Sequence, residues 1–207
     1  YLVSAVSLEP FMGTSYEFAQ AESFPAVTSA TIKDVKVEKE NGYQLSQDDD
    51  SLYWYVSDGK TSEQADTSKA GTVTSAIGSL TYGDFVDYNC TDQAKYGFDD
   101  PYAIITATYL AEEDAEADTD ATGASESEDK TETASEAEDS GEAEEKPQVE
   151  KQLVIYVGDE IDGNRYVKVN DSKQVYTIPE TSLTDIVDKN ISDFYSLTVN
   201  YLTVNNL

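Results

Sequence analysis

A long stretch without aromatic side chains interrupts the chain and limits what it can fold into. Within residues 111–149 the only apolar side chains are alanines and Val149, and 16 Asp and Glu residues stand against 2 Lys. Such a segment cannot bury enough apolar surface to offset the conformational entropy that is lost on ordering. We therefore predict that residues 111–149 are a disordered acidic insertion between two parts of one folded body.

The charge composition argues against several classes of function. The 207 residues include 13 basic and 42 acidic side chains, a formal net charge of −29, whereas nucleic acids and anionic lipids bind clustered Lys and Arg. The chain contains no His, which is the commonest general base and metal ligand. Cys90 is the only cysteine, so we expect a small buried side chain rather than a nucleophile or an internal disulfide. Many Tyr, Thr, Ser, Asp and Asn residues and few Arg favour an exported protein.

Strand patterns flank the insertion. Residues 102–109 are rich in β-branched and aromatic side chains, and residues 153–157 are an apolar run of strand length. We expect these two strands to pair as a hairpin with an extended loop, because closure entropy grows only with the logarithm of loop length.

Further patterns predict the rest of the fold. Strands are predicted at residues 32–37, 43–46, 52–56, 165–169 and 174–178, with two-residue turn signals at Asn41-Gly42 and Asp162-Gly163. Apolar residues at helical spacing predict one helix over 67–80 and another that begins after a Thr181 or Ser182 cap and runs through Phe194. Together these elements predict an α+β fold of antiparallel β-meanders with the helices packed on one face.

The two ends of the chain resemble each other. Tyr1-Leu-Val-Ser matches Tyr176-Thr-Ile-Pro, and Ser7-Leu8 matches Ser182-Leu183, at a shared offset of 175 residues. This similarity indicates one unit of a tandem repeat that overlaps its neighbours. The predicted division is the tail of a preceding repeat (1–27), the first part of the domain (28–110), the acidic insertion (111–149), the second part of the domain (150–196) and the start of a following repeat (197–207).

A few side chains are candidates for binding. The run Tyr53-Trp54-Tyr55 alternates between the two faces of a strand, which predicts a buried Trp54 with both tyrosines on the other face. Exposed tyrosines often mark binding sites, so Tyr53 and Tyr55 are candidates to bind glycan or peptide. The Asp-rich segments 48–50 and 159–162 are interpreted as turns, because they lack the spacing of a calcium-binding loop. No catalytic residue, cofactor or metal ligand is predicted.

The most distinctive string is Tyr96-Gly97-Phe98-Asp99-Asp100-Pro101. Gly97 permits a positive φ, and Pro101 favours an extended conformation at Asp100. The Asp99 carboxylate is expected to accept a hydrogen bond from a backbone amide two residues on. We interpret the string as a rigid loop that leads into the strand at residues 102–109, in preference to a ligand-binding loop.

This string resembles the Tyr-Gly-Leu-Asp-x-Pro signature of the bacterial domain-of-unknown-function family numbered 4340, with Phe98 in place of Leu. The resemblance covers residues 31 to about 194 outside the insertion, where the family has a short loop. It resumes after the insertion at Tyr156-Val-Gly-Asp and continues through residues 165–169 and 175–179 into the last helix.

The resemblance implies an N-terminal membrane anchor outside this segment, an outward-facing body, repeated domains in some members, and genes beside ABC-type transporters. It implies no catalytic residues. We therefore expect a non-catalytic extracytoplasmic interaction or scaffold domain of a membrane-anchored bacterial protein, with a protein partner such as a transporter subunit. The alternative is a cell-surface module that binds glycan or peptide, and an enzyme is the third alternative.

Overall fold

The computed structural model describes residues 20–112 and 147–196. Its strands are β1 (Ile32–Glu38), β2 (Tyr43–Gln47), β3 (Trp54–Ser57), β4 (Ser62–Gln64), β5 (Phe85–Asp87), β6 (Ala103–Glu112), β7 (Gln148–Ile161), β8 (Asn164–Val169) and β9 (Val175–Pro179). They form one sheet in the order β4-β3-β2-β1-β6-β7-β8-β9-β5, in which every neighbouring pair is antiparallel.

The turns between strands follow from the residues that form them. Asp162 (φ 49) and Gly163 (φ 76) both have a positive φ between β7 and β8, which confirms the predicted two-residue hairpin turn. The turn after β1 is longer than the predicted Asn41-Gly42 pair, because Gly42 donates to the carbonyl of Lys39 at 3.0 Å. Glycine is needed at position 42, where a Cβ atom would lie 2.1 Å from the carbonyl oxygen of Val37.

The predicted α+β class is wrong, because one long-range strand pair joins both halves of the chain into a single sheet. β1 pairs with β6 from Ile32 opposite Tyr109 to Glu38 opposite Ile104. This pair connects the meander of β1–β4 with the meander of β6–β9, and β5 pairs with β9 at the far edge. Within the described residues the fold is therefore sheet-dominated, with only two short α-helices.

Of the two α-helices in the described residues, the first begins at a side-chain cap and the second does not. α1 (Thr67–Gly78) follows the prediction, and the Asp66 carboxylate accepts hydrogen bonds from the first-turn amides. α2 (Glu180–Val187) begins before the predicted Thr181 or Ser182 cap and ends well before Phe194. Asn190 caps a separate 3-10 turn at Ile191–Phe194 instead. Other 3-10 turns lie at Ser29–Thr31 and Ala94–Tyr96.

Neither α-helix of the described part has the length and apolar content to span a membrane.

The two α-helices enclose the main core on one face of the sheet. An apolar row crosses five strands on that face, with each residue opposite the next and at most 1% exposed: Val56, Leu45, Val35, Ala107 and Leu153. Trp54, 6% exposed, lies in the same core, as predicted. The helices bury Ala70, Val73, Ile77, Leu183, Ile186 and Val187 against it. Burial of one such aliphatic side chain is worth about 1.5–3 kcal/mol, so this face supplies most of the driving force for folding.

The strands beside the acidic insertion pair as predicted. β6 and β7 form ten residue pairs, from Ala103 opposite Val157 to Glu112 opposite Gln148. Each strand extends two residues further into the acidic stretch than composition predicts, because the backbone ladder does not depend on apolar side chains. Residues 113–146, which carry the rest of the predicted insertion, lie outside the described residues. So do residues 1–19 and 197–207, on which the predicted repeat rests.

Candidate functional site

The distinctive loop before β6 is a tight turn with buried aromatic rings. Gly97 has φ 74, in the left-handed region, as predicted. Backbone amides of Gly97 and Phe98 donate to the preceding 3-10 turn and close the loop. The residue two positions after Asp99 is Pro101, which has no backbone N–H to donate, so the predicted hydrogen bond to the Asp99 carboxylate is wrong. Tyr96 and Phe98 instead pack with Val175 in a small second core on the face opposite the helices.

The loop packs directly on an irregular part of β7. There Gly158 and Asp159 form a β-bulge, because the two residues lie opposite Tyr166 alone. A Cβ atom on Gly158 would lie 2.0 Å from the carbonyl oxygen of Tyr96, and one on Gly97 would lie 2.5 Å from the Asp159 carboxylate. Glycine at both positions permits this approach. The two strings that carry the family resemblance therefore meet at one place in the fold.

Arg165, the only arginine of the chain, ties this junction to α2. Its Nε and Nη2 atoms donate to Glu180 Oε1 at 3.0 and 2.8 Å, and its Nη1 atom donates to the Gly158 carbonyl at 3.3 Å. The guanidinium carbon also lies 3.7 Å from the centre of the Tyr102 ring. The Tyr102 hydroxyl in turn donates to Asp188 Oδ1 at 3.2 Å, just beyond the end of α2. The guanidinium thus holds the β7–β8 hairpin against α2 through internal contacts.

Two lysines near the junction are also held by aromatic side chains. Lys168 Nζ lies 4.7 Å from the centre of the Tyr156 ring. Lys95 Nζ donates to the Tyr96 hydroxyl at 2.8 Å, and that hydroxyl donates to Asp87 Oδ2 at 2.7 Å. Burial raises the pKa of the Tyr96 hydroxyl, which keeps it a hydrogen-bond donor at neutral pH. The arrangement fixes the loop on the sheet.

Two rows of side chains on this same face remain accessible, and we call them the open face. Each row crosses six strands, from β4 to β7, with each residue opposite the next. Neighbouring strands lie about 4.8 Å apart, so each row is about 24 Å long. The first row is Gln64, Tyr55, Ser46, Asp34, Thr108 and Gln152; the second row is Ser62, Ser57, Gln44, Lys36, Thr106 and Val154. All twelve residues are exposed or half-buried.

The open face contains two charged side chains of opposite sign. The Asp34 carboxylate accepts a hydrogen bond from Gln44 Nε2 at 2.7 Å. Burial raises the pKa of Asp34, and the Gln44 hydrogen bond and the Lys36 charge oppose that shift. Lys36 forms an ion pair with Glu38 on the same strand. Each charge therefore has a partner, and the remaining ten side chains of the open face are uncharged.

The structure separates the two candidate tyrosines. Tyr55 is half-buried on β3 and belongs to the first row, between Ser46 and Gln64. Tyr53 precedes β3 in the turn and is 52% exposed. Only Tyr55 is therefore placed to contribute to a binding surface on the sheet.

The Asp-rich turns make local hydrogen bonds. Asp48 Oδ1 accepts from the amide and the hydroxyl of Ser51, both at 2.7 Å, and these bonds lower the pKa of the carboxyl. Over residues 20–112 and 147–196 no three Cys, Asp or Glu side chains converge in a way that would hold a metal ion. Cys90 is half-buried, and burial raises the pKa of its thiol, so the side chain is protonated at neutral pH.

The open face was not identified from the sequence. Its residues are common polar types, and no local motif marks them. Two observations together would identify it: the alternation of buried and accessible side chains within each strand, as at Thr106 and Thr108 on β6, and the register between strands. Only the pairing of β1 with β6 makes the two rows continuous.

Comparison with known proteins agrees with the sequence motifs. The family model of DUF4340, a domain of unknown function, matches residues 54–206, about three quarters of the chain. No curated protein and no solved structure matches the chain. The matched range contains the loop at Gly97, the bulge at Gly158 and the Arg165 contacts. The chain therefore belongs to the DUF4340 family, as its resemblance to the family signature predicts.

Proposed function

We propose that the chain is a non-catalytic interaction domain of a membrane-anchored bacterial protein, positioned outside the cytoplasm and associated with an ABC-type transporter. The observation that supports it most is the asymmetry of the sheet. Helices cover one face, whereas two rows of polar side chains stay accessible on the other. Strands hold these side chains at fixed spacing, and sites built on strands present a more constant surface to a partner than sites on loops.

The proposed location and transporter association rest on membership in the DUF4340 family. The resemblance to the family signature implies an N-terminal membrane anchor and a gene beside those of an ABC-type transporter. The proposed lack of catalysis is supported by the junction, where Arg165 and Lys168 are engaged with protein groups.

Site-specific photocrosslinking tests this function in the full-length protein in its native bacterium. A photoreactive amino acid at Gln44 reports on the open face, and one at Ser75, on the outer surface of α1, is the matched control. We expect Gln44 to crosslink to a transporter subunit, identified by mass spectrometry, and Ser75 to give no such product. The proposal is wrong if the crosslinked proteins are cytoplasmic, or if Gln44 captures no membrane protein.

A cell-surface module that binds glycan or peptide is the second candidate. It is favoured by Tyr55, whose half-buried ring lies among hydroxyl and amide side chains on the open face. Tyrosine supplies a large contact area at low entropic cost and is enriched at binding hot spots.

A further inference from the structure

One edge of the sheet carries a contact that points to an additional strand. Among the described residues β4 (Ser62–Gln64) is the last strand at this edge, and its three side chains are exposed. Just beyond β4, Ala65 forms an isolated antiparallel bridge with Tyr195. Beside this bridge the Asp66 amide donates to the Phe194 carbonyl at 2.8 Å. The chain after the last 3-10 turn therefore reaches the edge of the sheet and lies antiparallel to it.

The chain leaves this bridge in a direction that follows β4. Tyr195 has φ −64 and ψ 135, which is an extended backbone. Lys69 Nζ donates to the Tyr195 carbonyl at 2.9 Å and holds it beside the first turn of α1. In an antiparallel pair the residue numbers of one strand fall as those of the other rise. The bridge therefore sets a register in which Leu197 would lie opposite Glu63.

The outer side of β4 has the backbone groups that a further strand needs. The Ala65 amide donates to the Trp54 carbonyl at 2.8 Å, so the backbone groups of Ala65 point towards β3. Successive residues of a strand alternate in this direction, so the amides and carbonyls of Ser62 and Gln64 point away from β3. Edge groups of this kind pair readily with an added strand.

The sequence after the bridge has the pattern of a strand. From Leu197 it reads Leu-Thr-Val-Asn-Tyr, in which apolar and polar side chains alternate. In the register of the bridge, Leu197 falls on the same face as Val56, which is buried under the helices, and Thr198 falls on the open face. The family model matches the chain through residue 206 and therefore includes this segment.

We propose that residues 196–199 add to the exposed edge of β4 as a further antiparallel strand, with Leu197 opposite Glu63. The occupant of this edge is the chain's own segment, rather than a second copy or a separate protein. The added strand bonds the outward backbone groups of Ser62 and Gln64 and covers an edge that otherwise offers a template for pairing between chains. The inference concerns this edge alone and does not depend on the proposed transporter association.

The register determines which positions a disulfide can join. Because the Asp66 amide donates to Phe194, hydrogen-bonded and non-hydrogen-bonded pairs alternate from that pair, and Glu63 with Leu197 is a non-hydrogen-bonded pair. Cα atoms in such a pair lie about 4.5 Å apart, within the range that a disulfide spans. Thr198 would point to the face opposite that of Glu63 and is a matched control, one residue out of register.

Disulfide crosslinking of the full chain tests this register. Glu63→Cys and Leu197→Cys are combined in a Cys90→Ser background, so that only the two introduced thiols react. We expect oxidation at low protein concentration to give an intramolecular disulfide, seen as a monomer of changed mobility on a non-reducing gel. Glu63→Cys combined with Thr198→Cys should crosslink at least tenfold more slowly. Fluorescence of Trp54 verifies that each variant is folded.

Hydrogen exchange followed by NMR is a second test, which needs no substitution. We expect the Ser62 and Gln64 amides to exchange at least tenfold more slowly than in an unstructured peptide of the same sequence, because each donates to the added strand. Unprotected amides at these two positions, no crosslink, or equal crosslinking rates for the two cysteine pairs would each overturn the inference. A disulfide-linked dimer would also overturn it and would assign the edge to a second copy.

Discussion

The close contact between Gly158 and the loop at Tyr96 allows a quantitative test of how the packing of this loop on β7 stabilises the fold. Alanine at position 158 would place its Cβ atom 2.0 Å from the carbonyl oxygen of Tyr96 and 3.1 Å from Phe98 Cε1. The first distance is about 1.5 Å shorter than the optimal separation of about 3.5 Å, and a backbone atom cannot rotate away. The loop must therefore lift from β7.

The expected cost follows from what the loop buries. Tyr96 and Phe98 are 2% and 5% exposed, and lifting the loop loosens both rings. Removal of a buried aromatic ring costs about 3–5 kcal/mol, and overpacking of a close contact costs about 1–3 kcal/mol. We expect Gly158→Ala to lower the free energy of unfolding by about 3 kcal/mol, since the rings are displaced rather than removed.

Urea denaturation followed by the fluorescence of Trp54, the sole tryptophan, measures this change. Gly71→Ala is the matched control, because its Cβ atom would meet nothing within 4 Å on α1. Alanine is a better helix former than glycine, so this variant should gain up to about 1 kcal/mol. A Gly158→Ala variant within about 0.5 kcal/mol of the unmodified chain would refute the argument, because surface substitutions already reach that value.

Two further predictions concern the insertion and the buried Tyr43. Because Glu112 lies opposite Gln148, replacement of residues 113–147 by Asn-Gly should preserve the hairpin. It shortens the loop by about four doublings and should raise the free energy of unfolding by roughly 2 kcal/mol in urea melts; collapse of the fold would show that the deleted segment is required. Tyr43 donates to the Ile186 carbonyl at 2.7 Å, and burial raises its pKa above the ordinary value. The contribution of the Tyr43 hydroxyl to the free energy of unfolding is fully present below the tyrosine pKa of about 10 in the unfolded chain. It is lost as the pH rises above that value, because the tyrosine ionises first in the unfolded chain. Tyr43→Phe should make the alkaline loss of stability less steep by about 1.4 kcal/mol per pH unit in melts at increasing pH, and an unchanged slope would contradict the assignment.

Local features of the fold were predictable from the sequence. The Asp162-Gly163 turn, the left-handed Gly97 and the α1 helix each depend on a few consecutive residues, and the structure has all three. The buried Trp54 follows from alternation within one strand. These predictions hold because the deciding interactions lie within a few residues of each other.

Non-local features were not predictable in the same way. The pairing of β1 with β6 changes the fold class, but it joins strands far apart in the chain and no turn signals it. Apolar spacing suggested that α2 continues to Phe194, whereas the Asn190 capping box starts a new turn. The open face depends on the same β1–β6 register, so its continuity could not be predicted from single strands.

The sheet order has a consequence for how the two parts of the chain depend on each other. The part before the insertion contributes β6 in the middle and β5 at one edge, and the part after it contributes β7, β8 and β9 between them. The second part therefore pairs with the first part on both sides, through the β6–β7 pair and the β5–β9 pair. If the chain were cut within the acidic segment, the two fragments would stay associated, because separating them would require breaking both the β6–β7 and the β5–β9 strand pairs. The acidic segment can therefore be cut or exchanged without dividing the cooperative unit.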